Sequence, residues 1–239
     1  MNVATQSFDA AARPAVRVLG RWLGEGWQVF RRAPVRLLLL SLLPILIEGL
    51  LQLVPLVGVA VSKLLTPLAG AWIWCLVDAR VRSGRFAPKA STVRWLHRLP
   101  AALQWAVIAL VVFGFQLLVA GLMGGTDAVK AMATADAAGL NLDRVQLAWV
   151  LASGVLVATP LMFVLPLVLL DEIAIDAAVV RSLRAVLAYW KPVALVTALT
   201  TAILMGLVWM PLLLLVLLPF GVTVGYAAYR DVFHDALRG

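Results

Sequence analysis

Long uncharged stretches alternate with short basic segments along this chain. Residues 192–229 contain no charged side chain and carry Pro211 near their middle. A helix of about 20 apolar residues crosses the hydrocarbon core of a bilayer, so this stretch is too long for one crossing and suits two short helices joined by a turn. Residues 33–78 divide in the same way, with the turn at Pro55 and Gly58. The pattern therefore predicts helical hairpins that cross a membrane and return.

Extended to the whole chain, this pattern predicts an all-α fold: a polytopic membrane helical bundle with six transmembrane helices arranged as three hairpins. Residues 1–239 are expected to form a single integral membrane domain. The segment 124–143 is rich in small residues, which predicts a mobile or short-helical linker. The expected spans are about 33–54, 56–78, 100–123, 145–170, 192–209 and 212–233.

Composition and charge narrow the class of protein. Hydrophobic residues make up 63% of the chain and charged residues 13%, against roughly 45–50% and 25% in soluble domains. A water-soluble globule has no room to bury so much apolar surface, so that class is excluded. With the spans above, 17 of the 20 Lys and Arg residues fall on one side of the membrane. The positive-inside rule then explains the net charge of +8 better than nucleic-acid binding does, and it places both termini in the cytoplasm.

Residues 13–32 are expected to form an amphipathic helix in the membrane interface. At about 100° per residue, arginines share one face and aromatic and aliphatic side chains the other. Such a helix either anchors the chain beside the first span or recognises anionic lipid headgroups. A second, shorter interfacial helix is expected around residues 92–99. The candidates for contact with lipid and the interface are Arg13, Arg17, Arg21, Trp22, Trp27, Trp95, Trp190 and Lys191.

Two charges lie inside the first predicted hairpin. Glu48 and Lys63 are about equally far from the turn, so an antiparallel arrangement puts them at matching depth. Because an unpaired charge at that depth is costly, we expect the two to face each other, with Gln52 completing the network. Three readings stay open: a structural clamp, a proton or ion relay built on Glu48, or a register in which the two never meet.

Glycine and proline mark expected packing features. Gly114 and Gly121 fall on one helical face, and Gly221 and Gly225 form a GxxxG spacing; both patterns favour close contact with a neighbouring helix. Pro160 and Pro166 in the fourth span predict a kink or packing bend. After that span, Asp171 is expected to cap the next helix, with Glu172 in its first turn.

No recognised catalytic motif occurs in the chain. The single cysteine, Cys75, excludes an internal disulfide and a cysteine metal cluster. Asp78, Asp171 and Asp231 end the second, fourth and sixth spans, so they could meet and hold a divalent cation, although ordinary charges at the ends of spans explain them as well. We predict no cofactor, no catalytic residue and no metal.

Three short motifs resemble a known group of membrane proteins. They are Gly26-Trp27-Gln28-Val29-Phe30 with Pro34, Arg181-Ser182-Leu183 with Tyr189-Trp190-Lys191-Pro192, and Tyr226-Ala227-Ala228-Tyr229-Arg230-Asp231-Val232-Phe233. They are similar to uncharacterised bacterial six-span inner-membrane proteins, the YciC-like proteins, and to the membrane domain found beside some glycerophosphodiester phosphodiesterases. The resemblance implies a fold and a location in the bacterial inner membrane. It implies no hydrolase activity, because no stretch is long and polar enough to hold the soluble phosphodiesterase domain.

Three functions are compatible with these observations. The first is a non-enzymatic inner-membrane protein that binds lipids, anionic ones above all, or other membrane proteins. The alternative is a small transporter or channel that uses the Glu48 and Lys63 pair. The second alternative is a membrane-embedded enzyme with a cytoplasmic acidic cluster. Nucleic acid is not an expected partner.

Overall fold

The computed structural model describes residues 14–54, 57–136 and 138–234. Every regular element within these ranges is helical, and we number the α-helices in chain order. Arg13 and Pro55 lie outside the described residues. The ten helices are α1 (Ala15–Arg31), α2 (Pro34–Gln52), α3 (Gly58–Ser83), α4 (Pro88–His97), α5 (Leu99–Thr134), α6 (Arg144–Ala158), α7 (Val164–Leu170), α8 (Ile175–Ala188), α9 (Trp190–Leu207) and α10 (Leu214–Phe233).

Six segments among the described residues are long and apolar enough to cross a membrane, which confirms the predicted all-α membrane bundle. Short 3-10 turns extend two of them, Thr159–Leu161 after α6 and Pro211–Leu213 before α10. The second span continues past Asp78 to the end of α3 at Ser83. The six segments are Pro34–Gln52, Gly58–Ser83, Leu99–Thr134, Arg144–Leu161, Trp190–Leu207 and Pro211–Phe233.

The first two hairpins are present as side-by-side helix pairs. α2 packs along α3, and α5 packs along α6. Gly58 is required at the first turn, because a Cβ atom there would lie 1.9 Å from the carbonyl oxygen of Leu51. α3 also packs along α5, which joins the two hairpins into one bundle.

The third pair is arranged differently from the predicted hairpin. α9 and α10 make few direct contacts with each other. α9 packs along α6, α10 packs along α1, and α1 contacts both. The helix predicted to lie in the interface is therefore a packed part of the bundle, which simple hydrophobic periodicity does not reveal.

A glycine allows α1 and α10 to approach closely. The two helices run antiparallel, since Trp22 contacts Asp231 while Phe30 makes an edge-to-face contact with Phe220 farther along. A Cβ atom on Gly26 would lie 2.9 Å from the backbone nitrogen and Cα of Val224. Only glycine fits at this crossing without displacing one of the helices.

The segment after the third span continues as a helix. α5 extends to Thr134, with a sharp break at Gly125, where φ is 72° and ψ is −164°. Glycine occupies this backbone conformation without steric cost. Part of the predicted linker 124–143 is thus helical, and α6 begins at a capping box in which Asp143 and Gln146 bond each other's backbone N–H.

The fourth span ends earlier than predicted. α6 and its 3-10 turn stop at Leu161, and the remainder of 145–170 forms the separate helix α7, all of whose residues are buried. The Ser182 hydroxyl, itself fully buried, donates to the Pro160 carbonyl at 2.8 Å and accepts the Phe163 N–H at 3.3 Å. A side chain of α8 therefore satisfies backbone groups that the break leaves without helical partners.

The start of α8 also departs from prediction. α8 begins at Ile175 after Ala174, and Asp171 does not cap it. Glu172 adopts a left-handed φ of 59°, which ends the preceding helix and turns the chain. Asp171 instead accepts a hydrogen bond from Tyr229 of α10.

Candidate functional site

The charged pair in the first hairpin is compact. The Lys63 ammonium contacts the Glu48 carboxylate, and the Gln52 side-chain amide donates to the same oxygen at 3.2 Å. Lys63 also lies 5.3 Å from the centre of the Phe113 ring on α5. The hairpin register thus brings together the three residues that the sequence grouped. These contacts give each charge a partner and favour the structural clamp over a relay.

Asp78 is the centre of a buried polar network. Its side chain is 2% exposed and accepts hydrogen bonds at 2.8 Å from Arg82, Arg94 and Tyr226. Arg94 also donates to the Leu170 carbonyl at 2.8 Å. One carboxylate therefore ties α3 to α4 and α10, and Arg94 extends the connection to α7.

Asp171 belongs to the adjoining part of this network. It accepts the Tyr229 hydroxyl at 2.7 Å, and His234 Nε2 lies 3.1 Å from the same oxygen. Burial alone would raise the pKa of Asp171, but the hydrogen bonds from His234 and Tyr229 outweigh it and hold the pKa below its ordinary value. Tyr226 and Tyr229 pack against each other and against Trp74, so the Asp78 and Asp171 groups share one aromatic wall.

Asp231 has its own partners on α1. It accepts the Trp22 indole N–H at 2.7 Å and forms a salt bridge with Arg21. Trp22 is fully buried. This corrects the expectation that Trp22 contacts lipid, because Trp22 holds α1 against α10 from a buried position. Arg21 pairs with Asp231 while its side chain stays 32% exposed.

The three aspartates do not form a cation site. No group of three or more His, Cys, Asp or Glu side chains with metal-binding geometry occurs among the described residues. Asp78, Asp171 and Asp231 each use their oxygens on different internal donors. The arrangement ties helix ends together and gives no shared set of carboxylate ligands.

The other interface candidates divide into exposed and packed residues. Arg17, Trp27, Trp190 and Lys191 are exposed, and the Lys191 ammonium lies 5.6 Å from the centre of the Trp190 ring. Trp95 is half-buried and donates its indole N–H to the Leu68 carbonyl at 3.1 Å. Trp95 therefore helps to hold α4 on α3, together with the Ser91 hydroxyl, which donates to the Cys75 carbonyl at 3.3 Å.

The predicted glycine contacts are mostly absent. No neighbouring atom lies within 4 Å of a Cβ built on Gly114 or Gly221. A Cβ on Gly121 would meet Val129 at 3.0 Å, but that residue belongs to the same helix beyond its kink. At Gly225 the nearby group is the ring of Trp74, at 3.3 Å, so this glycine accommodates a side chain and not a helix backbone.

Comparison of the chain with protein-family models, curated proteins and solved structures gives no match.

Sequence reasoning missed the tyrosines and Arg94 as members of the polar network. Tyr226 and Tyr229 were visible as aromatic residues near the end of the last span, where an interfacial role explains them equally well. Their spacing of three residues puts both on one helical face. That spacing, together with an aspartate at the ends of the second and fourth spans, is the signal that could have revealed the shared network.

Proposed function

We propose that this multi-pass membrane protein works without catalysis, by binding anionic membrane lipids. The observation that supports the proposal is a difference between acidic and basic side chains: several acids are paired inside the protein, whereas several basic side chains are exposed. Asp78, Asp231 and Glu172 each pair with an arginine of the protein itself, and Asp171 is in contact with Tyr229 and His234. Exposed basic side chains remain beside exposed tryptophans, a combination suited to the headgroup region of a bilayer.

The proposal places this basic surface in the cytoplasmic leaflet of a bacterial inner membrane, with both termini inside. Its support is the excess of Lys and Arg in alternate connections and the family resemblance. Other membrane proteins are further candidate partners at the same surface. Catalysis and ion transfer have less support, since the internal acids contact donors already and Glu48 is matched by Lys63.

Lipid binding is tested with the purified full chain and vesicles of phosphatidylcholine alone or mixed with phosphatidylglycerol. Each exposed Lys or Arg near an anionic surface contributes about 1 kcal/mol, so Arg17→Gln with Lys191→Gln should weaken the preference for phosphatidylglycerol by about 30-fold. Gln28→Ala, which replaces an exposed uncharged side chain of the same helix as Arg17, is the control and should leave it unchanged. Equal binding of the wild-type protein to phosphatidylcholine and to phosphatidylglycerol would contradict the proposal.

A further inference from the structure

A basic cavity lies between the beginning of α2 and the end of α3. It has a volume of about 520 Å³, within the range of roughly 300–1,000 Å³ common for small-molecule sites. Four of its lining side chains are arginines and none is acidic. The cavity is lined by Arg32, Ala33, Pro34, Val35, Arg36, Arg80, Gly84, Arg85 and Phe86.

Phe86 organises two of the arginines. The Arg36 guanidinium lies 5.8 Å and that of Arg80 5.7 Å from the centre of the Phe86 ring. Cation–π contacts at this distance hold a guanidinium in place while leaving N–H groups free to donate. A buried Nε atom of Arg80 has no hydrogen-bond partner among the described residues. The cavity thus presents guanidinium groups that Phe86 holds in position.

The arginines of the cavity differ from their neighbours in sequence. Arg82, Arg94 and Arg98 form salt bridges with Asp78 or Glu172. By contrast, no ion pair joins any of the four cavity arginines to a described residue. Four like charges around one cavity repel each other, and a bound anion would offset that repulsion.

The shape of the donors favours phosphate over a simple monovalent anion. Guanidinium groups match the oxygen geometry of phosphate with two parallel hydrogen bonds. α2 begins at Pro34 on the wall of the cavity, so the positive end of its dipole adds to the field of the arginines. Phe86 and Val35 supply apolar surface beside the charged groups.

We propose that the basic cavity binds one phosphate group, carried by an anionic phospholipid headgroup or by a soluble phosphate ester. The headgroup version rests on the proposed lipid-binding function, whereas the soluble version does not. The cavity gives that function a defined site, distinct from the general attraction of the exposed residues Arg17 and Lys191.

The test measures binding to the detergent-solubilised full chain by native mass spectrometry, with phosphatidylglycerol and glycerol 3-phosphate as separate probes. Arg36→Gln with Arg80→Gln removes both guanidinium groups that flank Phe86 and should weaken binding of the preferred probe by about tenfold or more. Arg181→Gln with Arg184→Gln, two exposed arginines of α8, is the control. It should bind glycerol 3-phosphate as wild type does, and it should lose less phosphatidylglycerol binding than the cavity variant. Arg36→Lys keeps the charge but loses the planar fork, and it should fall between the two.

The two probes distinguish a lipid headgroup from a soluble phosphate ester. They also distinguish failure of the cavity proposal from failure of the lipid-binding function. Retention of phosphatidylglycerol that glycerol 3-phosphate does not displace assigns the site to lipid, whereas tight binding of glycerol 3-phosphate assigns it to a soluble ester. Equal binding of both probes to wild type and to the Arg36 and Arg80 variant overturns the cavity proposal, even if a general preference for anionic lipid persists. Absence of that preference, with glycerol 3-phosphate still bound in the cavity, overturns only the lipid-binding function. Cys75, which is buried, must stay unreactive toward a thiol dye in every variant, so that loss of folding is not read as loss of the site.

Discussion

Replacing Glu48 with Gln removes the carboxylate that contacts Lys63 between α2 and α3. The charge on Lys63 then faces neutral partners, among them the amide introduced at position 48, the Gln52 amide and the Phe113 ring, and it has lost its opposite charge. Replacing Lys63 with Met as well removes the second charge and restores an apolar side chain of similar length. Wild type, the two single variants and the double variant form a double-mutant cycle. The cycle separates the cost of leaving one charge unpaired from the interaction energy between Glu48 and Lys63.

The structure sets the size of the expected effect. Each residue lies about 6–8 Å along its helix from the turn between α2 and α3, at about 1.5 Å per residue. The Glu48 side chain is 30% exposed and that of Lys63 28%, so neither is fully enclosed by protein. A stranded charge costs about 2.5–3.5 kcal/mol at the middle of a membrane helix, and less toward its ends. We expect Glu48→Gln to cost about 2 kcal/mol and the double variant less than about 1 kcal/mol.

Cys75 provides the assay. Its side chain is buried on α3, the helix that carries Lys63, and it reacts with a fluorogenic thiol dye only when the helix is exposed. Dye reaction in a denaturant series gives the free energy of unfolding of each protein in micelles. Equal losses for Glu48→Gln and the double variant would show that the two charges do not stabilise each other, and would refute the clamp.

Three further predictions test how the helices are held. Gly26→Ala should destabilise the protein by about 1–3 kcal/mol because its Cβ meets the backbone of Val224, whereas Gly24→Ala, with no atom within 4 Å, should be neutral or stabilising; equal unfolding free energies would contradict the crossing. Ser182→Ala should cost about 1–3 kcal/mol in the same assay, since it strands two backbone groups, and a neutral result would show that the break needs no side chain. The pKa of Asp171 is lowered in the folded protein, so its stabilising contribution is full above about pH 4 and is lost as the pH falls through the lower folded value. Asp171→Asn should therefore reduce the loss of stability at acidic pH. An unchanged loss would show that other groups cause it.

Hydrophobic length and charge were sufficient to predict six helices of membrane-spanning length and one internal contact. Uncharged runs near the thickness of a bilayer have few alternatives to helices, because backbone polar groups must be satisfied within the segment. The contact between Glu48 and Lys63 followed from antiparallel geometry about a turn that requires glycine at position 58. Both inferences depend on local constraints, which a single sequence contains.

Contacts between distant segments were not predictable in the same way. Periodicity showed that α1 has two faces, but the apolar face suits lipid and a neighbouring helix equally well. Two contacts place this face against a neighbouring helix: Gly26 permits close contact with Val224, and Trp22 donates a hydrogen bond to Asp231. The early end of the fourth span likewise depends on Ser182, which lies in another helix.

The orientation of the bundle is the claim on which the lipid proposals rest most directly. Cysteine labelling measures it, because the natural thiol of Cys75 is buried and supplies an unlabelled background. Ala138→Cys and Lys89→Cys place single exposed thiols in the connection before α6 and in α4. A membrane-impermeant maleimide should label the Ala138 variant in intact cells and the Lys89 variant only after permeabilisation. Labelling of the Lys89 variant in intact cells would contradict the account.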